Sequence, residues 1–468
     1  MIHERKPRYR AYGPNKLDEI EQLAALDEAT RFEMRVVSSV LPFRVNDHVL
    51  DELIRWDQVP DDPIFQLVFP QRGMLSDDHF DRMAAVIRAG GAKDEVKRVA
   101  DEIRAELNPH PAGQRQMNHP TFEGEVMEGL QHKYRETVLF FPTQGQTCHA
   151  YCSFCFRWAQ FIGDSELKMA EKDGDRLHRY LAAHREVSDL LVTGGDPAIM
   201  RTDVMRGYLE PLIEPAFDHV TNVRIGTKAL TFWPQRFVSD ADADDMIRLI
   251  ERLSDAGKHV AIMAHVEHWQ ELDNDVAEEA VRRLRDAGAV IRSQAPLLRH
   301  VNDDADAWAR TWREQVRMGI VPYYMFVERD TGAREYFEVP LVEAWQIHRD
   351  AIQQCSGLSR TARGPSMSCE PGKVEISGVT EVAGEKVFVL RFIQGRNPDW
   401  IDRPFFAAFD PKVTWMDQLR PAFDEPEFFF EPELRAMKAE AGMDVPDEVV
   451  PQAPRRLGPG ASVPMSHH

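Results

Sequence analysis

The sequence predicts an α/β fold. Six strand–helix units form a parallel sheet curved as a partial barrel, with a helical extension before it and an α+β extension after it. Three observations point there. Between about residues 136 and 328, short apolar, β-branched runs alternate with longer amphipathic ones. Ala-Gly pairs at 256–257 and 287–288 stand where helices should stop before the next strand. A run of three cysteines follows the first strand-like run, at the strand end where such sheets collect chemistry.

Taken in order, residues 1–130 read as a mostly helical region, clearest at 31–41 and 79–89. Residues 131–335 hold the sheet. Its strand-like runs are 137–142, 189–193, 222–227, 259–265, 290–297 and 321–327. Helix-like segments lie at 168–183, 202–213, 241–256, 275–287 and 305–318. Six units suit a partial barrel rather than a closed eight-fold one. Residues 336–424 open with a helix at 341–354, pass through a turn-rich segment at 357–372, and carry two strands at 373–377 and 386–393. The tail, 425–468, is rich in Pro, Glu and Phe and is expected to be poorly ordered.

Composition narrows the function. Of 468 residues, 43% are hydrophobic and 29% charged, enough for a large core. Fifty-seven Lys and Arg face 77 Asp and Glu, for a net charge of −20, which argues against a nucleic-acid partner. No run of 18 or more apolar residues is present, so no membrane span is expected. The start, MIHERK, lacks the apolar core of a signal peptide, and a cytoplasmic location is expected.

Cys148, Cys152 and Cys155 are spaced four and then three apart, and the chain's other cysteines are Cys355 and Cys369. Three clustered thiolates can hold three irons of a [4Fe–4S] cube and leave the fourth iron open for a ligand. Structural zinc wants four ligands, usually in two knuckles; His149 lies inside the run and no second knuckle exists. A disulfide would leave an odd thiol without a secretory context. Chance clustering fits poorly with five cysteines in 468 residues. Downstream, Gly194-Gly195-Asp196-Pro197 ends the second strand-like run. Glycines there let backbone approach a ligand closely. A plain tight turn uses the same letters, so the motif gains its weight from standing beside the cysteine strand.

These residues resemble a family. The cysteine spacing, with Phe154 before the third cysteine, looks like the radical S-adenosylmethionine (SAM) superfamily. Gly194, Gly195 and Asp196 resemble its strand-two motif, whose backbone holds the methionyl amino group of SAM. Within that superfamily the chain resembles the lysine 2,3-aminomutase family from roughly Phe32 to Ile376. The signatures come in order: Asp62-Pro63-Ile64, Leu191 to Pro197, Arg224-Ile225-Gly226-Thr227, Trp233-Pro234-Gln235-Arg236, Ala264-His265, Gln294 to Asp303, and Pro322-Tyr323-Tyr324.

The resemblance implies a radical SAM partial barrel with a [4Fe–4S] cluster, SAM and pyridoxal phosphate (PLP) as cofactors. An external one-electron reductant would feed the cluster. The implied reaction moves an amino group from the α- to the β-carbon of an amino acid. His265 and Gln294 fall at SAM-binding positions. Glu370-Pro371-Gly372-Lys373 resembles the segment that ends in the PLP lysine, which makes Lys373 the candidate. Arg157 matches the arginine that binds the substrate α-carboxylate. Lys133 stands where the family has an arginine for the PLP phosphate, and Thr137 replaces a second one. By analogy, the protein is expected to be a homo-oligomer.

The substrate is expected to differ from lysine. Lysine-specific members hold the ε-ammonium with two aspartates, at positions that here are Arg329 and Ser366. An ammonium 4 Å from Arg329 would be disfavoured by about 4 kcal/mol at an effective dielectric of 20. A neutral or acidic side chain fits better, glutamate first, and Arg363 would add positive charge. Glu328 and Asp330 flank Arg329, and a register shifted by one would turn either inward. The sequence thus indicates an aminomutase for glutamate or another non-lysine amino acid. The alternatives are a radical SAM enzyme on this scaffold with altered or lost PLP use, a lysine 2,3-aminomutase proper, and a non-catalytic iron–sulfur protein.

Overall fold

One open sheet of eleven strands organises the computed structural model, which describes residues 9–111, 117–162 and 169–443. Its strands are neighbours in chain order. The run is Leu130–Tyr134, Thr137–Phe140, Asp189–Val192, Asn222–Thr227, His259–His265, Val290–Leu297, Val321–Val327, Arg363–Ser368, Gly372–Val382, Glu385–Gly395 and Pro404–Ala408. The six expected strands, from Thr137–Phe140 to Val321–Val327, pair in parallel and in order. Among the described residues the two edge strands do not pair with each other, and the sheet does not close into a barrel.

The helices between strands follow from amphipathic spacing and caps. Asn274 accepts a hydrogen bond from the Ala277 amide to open Asp275–Asp286, and Asp304 does the same at Ala307 for Ala305–Met318. The stops fall where the Ala-Gly pairs predicted them. Helices Ala243–Asp255 and Asp275–Asp286 end at Ala256 and Ala287, and Gly257 and Gly288 take left-handed backbone at φ +86° and +89°. The segment expected as a helix over 202–213 is α-helical at Thr202–Leu209 and turns to a tighter 3₁₀ form at Glu210–Ile213, where Pro211 removes a donor. Residue 168 lies outside the described residues, and the helix after the cysteines runs Gly174–Ala183.

The two faces of the sheet differ. Val138, Phe140, Leu190, Val192, Val223, Ile225, Val260 and Ile262 are buried with helix residues such as Leu177, Met205, Leu249 and Leu284. Each such side chain contributes roughly 1.5–3 kcal/mol through burial. Alternate residues, among them Leu139, Leu191, Arg224, Arg292 and Gln294, point the other way and stay half-buried. That second face mixes apolar and polar side chains, with Arg224 and Arg292 among them.

Three expectations are refined. The segment read as turn-rich contains a seventh parallel strand, Arg363–Ser368, paired with Val321–Val327 through Tyr324 and Phe326. Its sequence, RGPSMS, has no β-branched residue; the neighbouring strand and the burial of Met367 impose the extended form. The strands expected in the α+β extension, at 373–377 and 386–393, are longer, Gly372–Val382 with Glu385–Gly395, and as an antiparallel hairpin they continue the same sheet. In the tail, read as poorly ordered, a helix spans Glu431–Glu440. Pro432, acidic residues in its first turn and Lys438 in its last favour that helix. It belongs to a second unit, Phe430–His468, distinct from Met1–Phe429, and residues 444–468 lie outside the described residues.

The sheet bends strongly. Lys133, on one edge strand, donates from Nζ to the Cys369 carbonyl at 2.6 Å, just past the seventh parallel strand. A flat sheet would hold those strands roughly 33 Å apart, seven spacings of about 4.8 Å. The helical N-terminal region, with Glu28–Val40 and Asp77–Arg88 as its clearest helices, packs one core with Ala150, Trp158 and Phe337. It thereby covers the cysteine run.

Candidate active site

The cysteine run is irregular backbone held from several sides. Arg44 Nη1 donates to Thr147 Oγ1 at 2.9 Å and to the Cys148 carbonyl at 2.8 Å. The Tyr151 amide donates to the Arg44 carbonyl and the Ser153 amide to the Leu67 carbonyl. Trp158, fully inside, donates from Nε1 to Thr331 Oγ1 at 2.8 Å and so ties the run to the loop after the sixth strand. Phe154 packs edge-on against Phe337 with centroids 6.3 Å apart.

The strand-two loop is stitched to the same run. The Gly195 amide donates to the Gly145 carbonyl and the Asp196 amide to the Thr147 carbonyl, at 3.0 and 2.8 Å. Gly194 has φ +149°, and a Cβ on Gly195 would stand 2.4 Å from the Thr147 carbonyl oxygen, so both positions need glycine. Asp196 locks the loop with its carboxylate: it accepts from Thr227 Oγ1, the Ala198 amide and the Lys228 amide at 2.7–2.9 Å. The backbone of this loop, rather than that side chain, remains to meet a ligand. At the ends of the next strands, Gln294 Nε2 lies 2.9 Å from His265 Nε2.

Two arginines with no ion pair within 4 Å among the described residues distinguish the site. Arg157 is 8% exposed, and its guanidinium lies 4.5 Å from the Phe141 ring and 4.9 Å from Phe156. Arg329 lies 4.8 Å from the same Phe156 ring. Arg157 Nη1 and Arg329 Nε are buried with no hydrogen-bond partner among the described residues. Burial, aided by the nearby Arg329 charge, pushes Arg157 down to about 10. Asp330 turns to Asn108, which donates to its backbone carbonyl at 2.7 Å. Glu328 is buried, and its charge bears on Cys155. Ser366 is fully buried on the seventh strand, and its hydroxyl has no partner among the described residues.

Lys373 begins the first hairpin strand, with its ammonium 4.1 Å from the Tyr324 ring and 5.3 Å from Phe326. Burial first, then the Arg224 and Arg363 charges, push it down to about 7. Burial and the Arg396 charge do the same to Lys133, which also falls to about 7. Thr137, in place of the second phosphate arginine, is committed to Asp189 through a 3.0 Å hydrogen bond. Arg363 approaches the Tyr324 hydroxyl at 3.5 Å.

Sequence reasoning missed a buried ionic cluster at the ends of the third and fourth strands. Lys228 Nζ is paired with Glu267 Oε2 and lies 2.6 Å from Glu271 Oε2. Glu271 Oε1 accepts the Glu267 and His268 amides, and Thr231 donates to its other oxygen. The signal was present: Lys228 directly follows Thr227 at a strand end, and Glu267 follows His265 by two positions.

No family model matches the chain. It is 29% identical over 402 residues to the protein named "Putative L-lysine 2,3-aminomutase" from Aquifex aeolicus (strain VF5), covering 85% of this chain and 93% of that one. It is 28% identical over 256 residues to L-lysine 2,3-aminomutase of Escherichia coli (strain K12), covering 54% and 69%. It is 27% identical over 266 residues to L-lysine 2,3-aminomutase of Clostridium subterminale, covering 56% and 59%. The chain is a relative of the lysine 2,3-aminomutases. Solved structures overlap it weakly. Streptococcus suis SuiB bound to precursor peptide SuiA aligns with TM-score 0.34 and 13% identity over 58% of this chain and 57% of that one. A radical SAM methyltransferase from Sphaerobacter thermophilus aligns with TM-score 0.31 and 12% identity over 51% and 68%. Overlaps this weak carry no argument about fold or activity.

The cysteines of this aminomutase relative suit a cluster better than a single ion. Among the described residues, no three His, Cys, Asp or Glu side chains converge as a mononuclear metal requires. A cube binds each thiolate on its own iron, so the sulfurs need not converge. Burial pushes the thiols of Cys148 and Cys152 well up and Cys155 to about 11. Thiolates in such a place need a bound cation to hold their charge. Among the described residues no helix is long and apolar enough to cross a membrane.

Proposed function

We propose that this chain is a radical SAM, PLP-dependent amino-acid 2,3-aminomutase that acts on an acidic amino acid, glutamate first. One observation carries the substrate assignment: Arg157, buried, and Arg329, half-buried, share the Phe156 ring, and neither has an ion pair with a carboxylate within 4 Å among the described residues. Two guanidinia beside one ring, each with an enclosed nitrogen that has no partner among the described residues, favour anions. An acidic amino acid supplies two carboxylates.

Cys148, Cys152 and Cys155 would hold the cluster, and the strong bend of the sheet suits a partial barrel around it. The backbone of 194–196, with His265 and Gln294, would place SAM. Lys373 would hold PLP, since an amine near its neutral form is a competent nucleophile at pH 7. Lys133 would face the phosphate. When bound, the cluster and SAM supply the hydrogen-abstracting radical, and PLP carries the migrating nitrogen.

The protein's own groups do the positioning. Arg157 binds the α-carboxylate through a planar fork, and Arg329 binds the side-chain carboxylate. Phe141, Phe156, Tyr324 and Phe326 wall the space and exclude water, which strengthens both contacts. Ser366, small and uncharged, leaves room where an aspartate would repel the substrate.

The test is a competition among lysine, glutamate and aspartate with the cluster-loaded, PLP-fed protein, reading β-amino acids by mass. Preferential formation of the glutamate or aspartate isomer is expected. Preferential turnover of lysine would refute the substrate assignment.

A further inference from the structure

A second cation stands beside Lys133 and has no role in the reading so far. Ser368 pairs with Lys373, and the Cys369 amide donates to the Gly372 carbonyl at 3.0 Å. Residues 369–372 are therefore a tight hairpin with Lys373 at its exit. Lys133 reaches this hairpin from the edge strand Leu130–Tyr134, donating to the Cys369 carbonyl at 2.6 Å. Arg396 reaches the next residue, donating from Nε to the Glu370 carbonyl at 2.8 Å. Its own amide donates to the Pro371 carbonyl at 3.0 Å. Consecutive Cα atoms stand about 3.8 Å apart, so cations bonded to consecutive carbonyls are close neighbours.

Arg396 is held without being neutralised. Its Nη1 donates to the Met117 carbonyl at 3.2 Å and its Nη2 to Asn118 Oδ1 at 2.6 Å. All these acceptors are uncharged. The Glu370 carboxylate bears on Arg396 electrostatically, yet neither Arg396 nor Lys133 has an ion pair within 4 Å among the described residues. Each terminal nitrogen of Arg396 keeps a second N–H for another acceptor. The contacts on either side fix the plane of the fork, and a fixed fork suits a phosphate. Lys133 is pushed down to about 7 and is only partly charged at neutral pH, whereas an arginine keeps its charge. The lasting positive charge beside the hairpin is that of Arg396.

PLP carries its phosphate arm on the ring carbon next to the one that bears the aldehyde. The anion site must therefore lie near the lysine that holds the aldehyde carbon. We propose that Arg396, together with Lys133, binds the phosphate of PLP held on Lys373. The inference rests on the PLP reading and deepens it. It assigns the permanent charge of the phosphate site to the strand that follows the lysine, while Thr137 brings no charge and is bonded to Asp189.

The experiment compares PLP with pyridoxal, which has the same ring and aldehyde but no phosphate. Titration of the full-length, cluster-loaded protein, without SAM or substrate, reads both affinities from the absorbance band that Lys373→Ala abolishes. Arg396→Gln is expected to bind PLP about tenfold or more weakly and pyridoxal nearly as wild type. Unchanged PLP affinity, or an equal loss for both ligands, overturns the inference and leaves the PLP reading standing. Wild-type protein with no band that depends on Lys373 overturns both. If far-UV circular dichroism shows that Arg396→Gln does not fold, Arg396→Lys is judged by the ratio of the two affinities. A fall of about threefold or more is expected there, because a lysine lacks the fork, and an unmoved ratio overturns the inference.

Discussion

Cys152→Ala is expected to lose SAM cleavage and substrate turnover to background while the fold persists. Two thiolates cannot hold three irons of a cube, so the open fourth iron, and with it the SAM site, is lost. The side chain lies partly buried at the rim of the N-terminal core, and removing one sulfur there costs little packing. Iron content should fall, 5′-deoxyadenosine should no longer form on reduction with SAM, and far-UV circular dichroism should match the wild type. Substrate turnover at the wild-type rate would remove the cluster from the mechanism and defeat every reading in which the chain is a radical enzyme.

Arg329→Asp is expected to invert substrate preference. The change removes one charge attractive to a side-chain carboxylate and installs one attractive to an ammonium. A unit charge at 4 Å contributes about 4 kcal/mol at an effective dielectric of 20. Arg329 is only half-buried, so water trims that figure, and a shift on the order of a hundredfold in the glutamate-to-lysine ratio of kcat/KM is expected. Arg329→Lys should keep the preference for the acid with weaker binding, because a lysine supplies the charge without the fork. A ratio unmoved by Arg329→Asp would mean that this side chain does not meet the substrate.

The local geometry of the candidate site was legible in the chain because its motifs are local. The spacing of Cys148, Cys152 and Cys155 and the Gly194-Gly195 turn are each decided within a few residues. Their meeting follows from strand order: neighbouring parallel strands put successive loops side by side, and the Gly195 and Asp196 amides do bond to Gly145 and Thr147. Long-range features were harder to read. The strand Arg363–Ser368 has no strand-like composition and exists because Tyr324 and Phe326 template it. The Lys133–Cys369 contact joins residues 236 apart and depends on the bend of the whole sheet. The ionic cluster of Lys228, Glu267 and Glu271 joins residues from two strand ends, and each of them alone reads as an ordinary surface charge. Glu328 shows the same limit: three consecutive charged residues, Glu328, Arg329 and Asp330, take three different surroundings, which no pattern of polarity distinguishes.

The most direct measurement follows a hydrogen. Glutamate deuterated at its β-carbon is incubated with the reduced, cluster-loaded, PLP-fed protein and SAM, and deuterium is read by mass in 5′-deoxyadenosine and in the product. Deuterium in both, with the amino group moved to the β-carbon, is the expected result. SAM cleavage that leaves 5′-deoxyadenosine free of deuterium and glutamate unchanged would contradict an aminomutase acting on this acid.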